Sequence, residues 1–356
     1  MKKNLKRKHK STIIKDLSNI QKLIFAPLVF QAINSMIELG ILEYLDKTPS
    51  TTDEIMKELN LDEYIVRTLL EVGEVNNLLI KSNNNKYTLT KAGELFLYDE
   101  MTKVNFNYVK DVCYLGASEL TSSFTTKKPM GLKKFVKDSP TIYPLISTLP
   151  EKMKNSWYEF DHMYSDNCFD KVISIILEKH KKIVDIGGNT GKFEKVCLKN
   201  GADITMIDLP ENIEKIKDSA TLKNCKFHPM NVQDENPTYP DLKDCAILMS
   251  QFLDCFSKKD IVKILKDLSD RVNENSTIYI LEPFTDMQNF EASKYTLIHT
   301  SLYFTCMANG VSKFYTLEEM KEMISKSGLK LRQTINNIGA YNYTLLECGK
   351  NAMVSD

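Results

Sequence analysis

Apolar positions from Ile20 to Leu45 recur every three or four residues and end in Glu38-Leu39-Gly40-Ile41-Leu42, which predicts two helices parted at a glycine cap. Thr51-Thr52-Asp53-Glu54 opens a capped helix through Leu59, and Leu61 to Leu70 continues as a second one. The polar turn Ser82-Asn83-Asn84-Asn85 then separates Leu78-Leu79-Ile80 from Tyr87-Thr88-Leu89, a hairpin pattern. Helix, turn, helix and hairpin make a winged helix. Met101 to Pro150 is helical in pattern but broken by Pro129, Gly131, Pro140 and Pro144, which suits a bridge. Beyond it the period changes. A helix at Phe169 to Lys179 precedes strands ending near Ile186, Asp208, His228, Ser250 and Leu281, with helices at Lys259 to Val272 and Leu317 to Ser327, and paired strands at Leu329–Leu331 and Tyr343–Glu347 close the chain. Such alternation predicts an α/β sheet.

Within that half, Val184-Asp185-Ile186-Gly187-Gly188-Asn189-Thr190-Gly191 carries a buried strand into a glycine turn and then a helix. The next strand delivers Asp208 to the same sheet edge, where a carboxylate can accept hydrogen bonds from both hydroxyls of a ribose. A dinucleotide site shows Gly-x-Gly-x-x-Gly, because a pyrophosphate must sit on the helix N-terminus; here Ile186 stands at the first glycine position. S-adenosylmethionine (SAM) has no phosphate and suits this turn better than NAD does.

Composition narrows the partners. The 356-residue chain is long enough for two domains, and its 47 Lys+Arg balance its 47 Asp+Glu, so no net field draws nucleic acid. Between Phe30 and Tyr98 six basic residues face eleven acidic ones, and the second helix of the winged helix sets Asp62, Glu63, Glu71 and Glu74 against Arg67 alone. Phosphates would be repelled, so the module reads as a dimerisation domain. The basic cluster from Lys2 to Lys10 reads as a solvated, disordered tail. No run approaches the roughly 18 consecutive apolar residues of a membrane span, and no signal-peptide pattern follows the basic start. Eight cysteines stand singly, without a C-x-x-C pair, which points to a reducing cytoplasm and no structural metal.

Together with Ile207-Asp208-Leu209-Pro210, Phe252-Leu253-Asp254-Cys255-Phe256-Ser257 and Ile280-Leu281-Glu282-Pro283, these features resemble the class I SAM-dependent O-methyltransferases of the two-domain, dimeric small-molecule type. The resemblance implies a Rossmann-like catalytic domain at 166–356 behind a mostly helical winged-helix domain at 20–100, with a tail at 1–19 and a helical bridge at 101–165. It places Asp185, Gly187, Gly188 and Gly191 around the cofactor, Asp208 on the ribose, Leu209 on the adenine, Asn231 and Val232 where the family has an Asp-hydrophobic pair, and Ser250 and Gln251 at the cofactor's edge, where the family often has lysine.

The chain departs from the family at the base. Asp254 stands where a histidine would deprotonate a phenol, and a carboxylate at its usual pKa of ~3.9 is a weak base unless burial raises it. Glu282 matches the glutamate that orients the base, and Phe314 replaces a second one. A substrate wall is expected from Phe160, Met163, Tyr303 and Met307, with Tyr295 and Phe304 on the same helix and His299 as an alternative base; ordinary core or dimer packing would explain the same side chains. The expectation is a cytoplasmic, homodimeric methyltransferase with SAM as cofactor and a small aromatic or conjugated acceptor, O-methylated first, with no nucleic-acid or membrane partner. A SAM-binding sensor that has lost turnover and a winged-helix regulator are the alternatives.

Overall fold

A mixed sheet of seven strands organises the C-terminal half of the chain, and its strand order follows from which segments are apolar on both faces. The computed structural model describes residues 2–137 and 139–350, with side chains from residue 13 onward. It divides into two compact units, residues 1–103 and 104–356.

In the first unit α1 (Lys2–Glu38) is followed by α2 (Ile41–Lys47), α3 (Thr52–Leu59), α4 (Glu63–Val75), the hairpin β1 (Leu79–Lys81) and β2 (Tyr87–Leu89), and α5 (Lys91–Tyr98). Gly40, at φ 74°, parts α1 from α2 in the left-handed conformation that glycine adopts without cost. A reciprocal capping box between Thr51 and Glu54 starts α3, and the Asp62 side chain accepts from Ile65 N to start α4. The helix pair and hairpin therefore form as read from the sequence, around Met36, Ile41, Leu45, Ile55, Val66 and Leu70. Two readings change. Helix α1 runs through the segment read as a tail and continues unbroken past Pro27, because Ile13, Leu17, Ile20, Ile24 and Leu28 keep a helical repeat; the side chains of the basic residues 1–12 lie outside the described residues. The stretch Ile13–Glu38 is also long and apolar enough, by length and composition, to cross a membrane. A count of consecutive apolar residues passes over it because Lys15, Asp16 and Lys22 interrupt the run.

In the second unit α6 (Glu100–Asn107), α7 (Leu120–Thr126) and α8 (Glu151–Ser165) lead to α9 (Phe169–Leu177), and the bridging segment packs into the same unit as the sheet. The sheet elements follow as β3 (Lys182–Ile186), α10 (Lys192–Lys199), β4 (Asp203–Asp208), α11 (Pro210–Ile216), β5 (Lys226–Pro229), β6 (Ala246–Ser250), α12 (Lys258–Arg271) and β7 (Thr277–Glu282). The chain continues through α13 (Glu291–Tyr303), α14 (Leu317–Lys326), β8 (Lys330–Ile338) and β9 (Tyr343–Gly349). Spatial order is β5-β4-β3-β6-β7-β9-β8, parallel from β5 to β7, with β9 antiparallel to β7 and to β8. One face packs Val184, Ile247 and Ile280 under α12 and α14; the other packs Ile183, Leu248 and Tyr279 under α9 and α10. Since β3 pairs with β4 on one side and β6 on the other, chain direction over the sheet reverses there. That reversal opens a crevice beyond the carboxyl ends of β3, β4 and β6.

Ile280 lies on fully buried β7, between β6 and β9. Ile280→Ala should destabilise the second unit by about 2–5 kcal/mol, seen as a lower urea midpoint; an unchanged midpoint would contradict this placement of the core.

Candidate active site

The ends of four strands supply the polar groups of the crevice. β3 ends in Asp185 and Ile186 before the turn Gly187–Gly191, β4 in Asp208, β6 in Ser250 and Gln251, and β7 in Glu282. A cavity of about 700 Å³ opens over the first three, and Asp185, Gly187, Gly188, Asp208, Leu209, Asn231, Val232, Ser250 and Gln251 all line it.

Gly187 has φ 89°, and a Cβ there would stand 2.4 Å from the Phe252 ring; at Gly188 a Cβ would fall 2.2 Å from Glu194 Oε1. No larger residue fits either position without rearrangement. Gly191 is different. It has φ 74° and precedes α10, but it does not line the cavity, and a Cβ there would meet Leu222. Its role is to make the turn, which corrects the expectation that it borders the cofactor.

Asp208 sits deep in this end of the cavity. Its Oδ2 accepts from Asn189 N (2.8 Å), and its Oδ1 from Leu209 N (2.6 Å) and Asn212 Nδ2 (2.8 Å). These donors hold the carboxylate in place while leaving acceptor capacity toward the cavity. At the end of β6, Ser250 Oγ and Gln251 Nε2 are buried without hydrogen-bond partners. Gln251 adopts φ 47°, uncommon for a residue with a side chain. Two orphaned polar atoms beside a glycine cradle and an oriented carboxylate fit a nucleoside with hydrogen-bonding edges.

Glu194 carried no signal in the sequence. It is fully buried at the start of α10 with its carboxyl against that of Asp185, and neither of its oxygens has a donor among the described residues. Burial pushes both groups upward, and the Asp185 charge raises Glu194 further, while the contact with Glu194 holds Asp185 down.

The other end of the cavity is aromatic. Trp157 and Phe160 on α8, Tyr108 in a π-helical turn after α6, and Tyr303 and Phe304 at the end of α13 line it. Tyr108 stacks on Phe160 at 3.8 Å and 14°, and Trp157 Nε1 donates to Tyr303 Oη at 2.7 Å. Phe160 and Tyr303 thus stand where the substrate wall was expected. Met163 and Met307 do not line the cavity. Met163 is off the face of α8 that carries Trp157, Phe160 and Asp161, and Met307 is fully buried against Gly116. His299 is corrected as well: it is exposed on α13, stacked on Tyr295 at 3.9 Å, with Nδ1 2.8 Å from Tyr295 O, and is no base for this cavity.

Asp254 lines the aromatic end and is 5 % exposed. Ser257, not Asp254, caps α12. The Asp254 carboxyl accepts from the Cys255 thiol at 3.3 Å and lies against the Glu282 carboxyl, and burial lifts its pKa to about 7. Glu282 does not reach the main cavity. It shares a small adjoining space with Asp254 and spends Oε1 on Phe252 N (3.2 Å) and Leu253 N (2.9 Å), fixing the turn that presents Asp254. Its Oε2 is unpartnered, and burial followed by the Asp254 charge drives its pKa well up.

Residues 160–334 match the family model of a methyltransferase domain, and residues 18–87 match that of a Dimerisation2-like domain, together more than half of the chain. The chain is a two-domain class I methyltransferase. Its relatives are distant. It is 20 % identical over 325 residues to an L-tyrosine C(3)-methyltransferase from Streptomyces lavendulae, covering 88 % of this chain and 87 % of that one. It is 24 % identical over 320 residues to O-methyltransferase 7 of Dictyostelium discoideum, covering 86 % and 87 %. The mitomycin 7-O-methyltransferase structure superposes with a TM-score of 0.71 at 17 % identity, over 96 % of this methyltransferase and all of that chain. Human N-acetylserotonin methyltransferase, solved with SAM, gives 0.66 at 15 % identity over 94 % and 98 %. These likenesses favour an enzyme over the sensor and regulator alternatives.

An acid with a raised pKa is protonated more readily in the folded than in the unfolded chain, so its contribution to stability falls as pH rises from about 4 through about 7. Asp254→Asn removes this dependence. Its melting temperature relative to wild type should climb between pH 5 and pH 8, by about 2–4 °C for each kcal/mol relieved. A difference that is flat with pH would show that Asp254 ionises normally.

Proposed function

We propose that this methyltransferase uses SAM to methylate a small aromatic acceptor, with oxygen the first-choice atom. The observation that carries the reading is one continuous cavity with the glycine turn and Asp208 at one end and Asp254 among aromatic rings at the other. When bound, SAM supplies a methyl group already activated on a sulfonium.

The chain's own residues then have separable tasks. Asp208 accepts from the ribose hydroxyls, Leu209 and Val232 flank the adenine, Asn231, Ser250 and Gln251 meet its polar edge, and Gly187 and Gly188 leave room along the backbone, with Asp185 beneath. Phe160, Trp157 and Tyr303 hold the acceptor ring. Asp254, with a pKa near the operating pH, takes up the proton that a hydroxyl loses, and Glu282 acts by positioning it. Holding acceptor and donor at reaction distance is worth about 7–11 kcal/mol in favourable cases, so a modest base suffices. The Streptomyces relative is named a C-methyltransferase and the Dictyostelium relative an O-methyltransferase; the same aromatic end suits either acceptor atom.

We also infer a homodimer. Leu23, Ile24 and Leu28 are each at least 60 % exposed on α1, within the residues matching a dimerisation domain, and a second copy would cover them. The eight free cysteines support a reducing, cytoplasmic setting.

S-adenosylhomocysteine titrated by calorimetry should bind wild type, and Asp208→Ala should weaken it at least tenfold, about 1.4 kcal/mol. No binding to wild type would overturn the cofactor assignment. Separately, Ile24→Asp should convert a dimer to a monomer by light scattering, with the second unit still folded; an unchanged mass would remove α1 from the interface.

A further inference from the structure

The charge of the cavity points to a feature of the acceptor. Eight carboxyl groups line it, against one lysine and one histidine. Both basic side chains are already engaged. Lys192 Nζ bonds to Asp166 Oδ2, and His162 Nδ1 lies 3.2 Å from Asp166 Oδ1 and 4.0 Å from the nearer Asp161 oxygen. Of the other acids, Asp185 and Asp208 belong to the glycine-turn end, Asp260 accepts from Ser257 Oγ, and Glu211 and Asp234 are exposed; SAM brings one net positive charge.

What remains is Asp161 and Asp254 at the aromatic end. Asp161 lies on the cavity face of α8 beside Phe160 and Trp157, and its described hydrogen bond is from Asn189 Nδ2, a neutral donor, at 2.9 Å. Burial raises its pKa to about 6. Asp254 has no ion-pair partner among the described residues, and the unpartnered Glu282 Oε2 lies beside it. Asp254 feels the charge of Asp161. The walls between them are ring faces, whose negative quadrupoles also favour a cation. A carboxylate or phosphate on the acceptor would be placed among acids that outnumber the basic groups near them; a basic nitrogen would be matched by them.

We propose that the acceptor is a small hydroxylated aromatic amine, its ammonium anchored by Asp161 while its hydroxyl faces Asp254. This rests on the methyl-transfer reading and names the substrate class for that site. Asp161 is an anchoring residue here and takes no part in bond making.

The test titrates protein saturated with S-adenosylhomocysteine with three matched probes: tyramine, 4-hydroxyphenylacetate and 4-ethylphenol. Tyramine should bind at least tenfold more tightly than the acid and more tightly than the neutral phenol. Asp161→Asn keeps the acceptor atom for Asn189 Nδ2, so it should leave S-adenosylhomocysteine affinity within about twofold while weakening tyramine at least fivefold and narrowing the gap to 4-ethylphenol. Asp254→Asn provides the second check, since it keeps shape and removes charge. Tyramine binding no better than the acid, tyramine failing to bind, or a preference that survives both variants would overturn the amine assignment while S-adenosylhomocysteine still binds. Failure of S-adenosylhomocysteine itself to bind wild type would overturn the underlying cofactor reading and this assignment with it.

Discussion

Keeping carboxyl groups at the edge of an apolar sheet is costly unless each receives donors, a proton or a ligand, and this constraint governs the methyltransferase's catalytic half. Strands β3, β6 and β7 are almost wholly buried, yet three of the parallel strands end in a buried acid: Asp185 on β3 and Asp208 on β4 at the crevice, and Glu282 on β7 in the small space beside it. Each is satisfied differently. Asp208 receives backbone and amide donors, Asp185 lies against the carboxyl of Glu194, and Glu282 holds two backbone N–H groups with one oxygen while the other has no donor among the described residues. The gradient runs from a fully served carboxylate to underserved ones, and the underserved groups are those beside the aromatic space where an acceptor brings its own donors.

This arrangement also explains how an aspartate can stand in the histidine position. A histidine there would need only to stay near its ordinary pKa, whereas Asp254 must be lifted well above the usual carboxylate range, to about 7. Burial does most of that and the charge of Asp161 adds to it, against the opposing hydrogen bonds with Cys255 and Glu282. The cost appears as stability lost toward high pH.

The sheet was legible because burial on both faces leaves long apolar runs with acids or glycines at their ends, and the cofactor end was legible because its residues sit within one or two positions of those ends. Asp208, Gly187 and Gln251 could therefore be named from the chain alone. Glu194 could not: it is one charged residue in an amphipathic helix pattern, and only the packing of α10 on the sheet turns it inward. Asp161 was hidden for a similar reason, since the aromatic segment around it reads equally as packing.

The acceptor end was the least legible, and the cause is geometric. Tyr295, His299 and Tyr303 share a helical face by spacing, but burial along α13 changes with position along the axis more than with face: Tyr295 is 57 % exposed and Tyr303 is 5 % exposed. Beyond Tyr303 the helix widens into a π-helical turn over Phe304–Ala308, which is buried all round, and a second such turn carries Tyr108. One extra residue per turn shifts every later side chain out of the 3.6-residue register. That shift brings Phe304 to the cavity while leaving Met307 in the core. The aromatic cavity is thus built where helical periodicity fails, so a pattern of spacing could identify its ingredients without showing which of them meet.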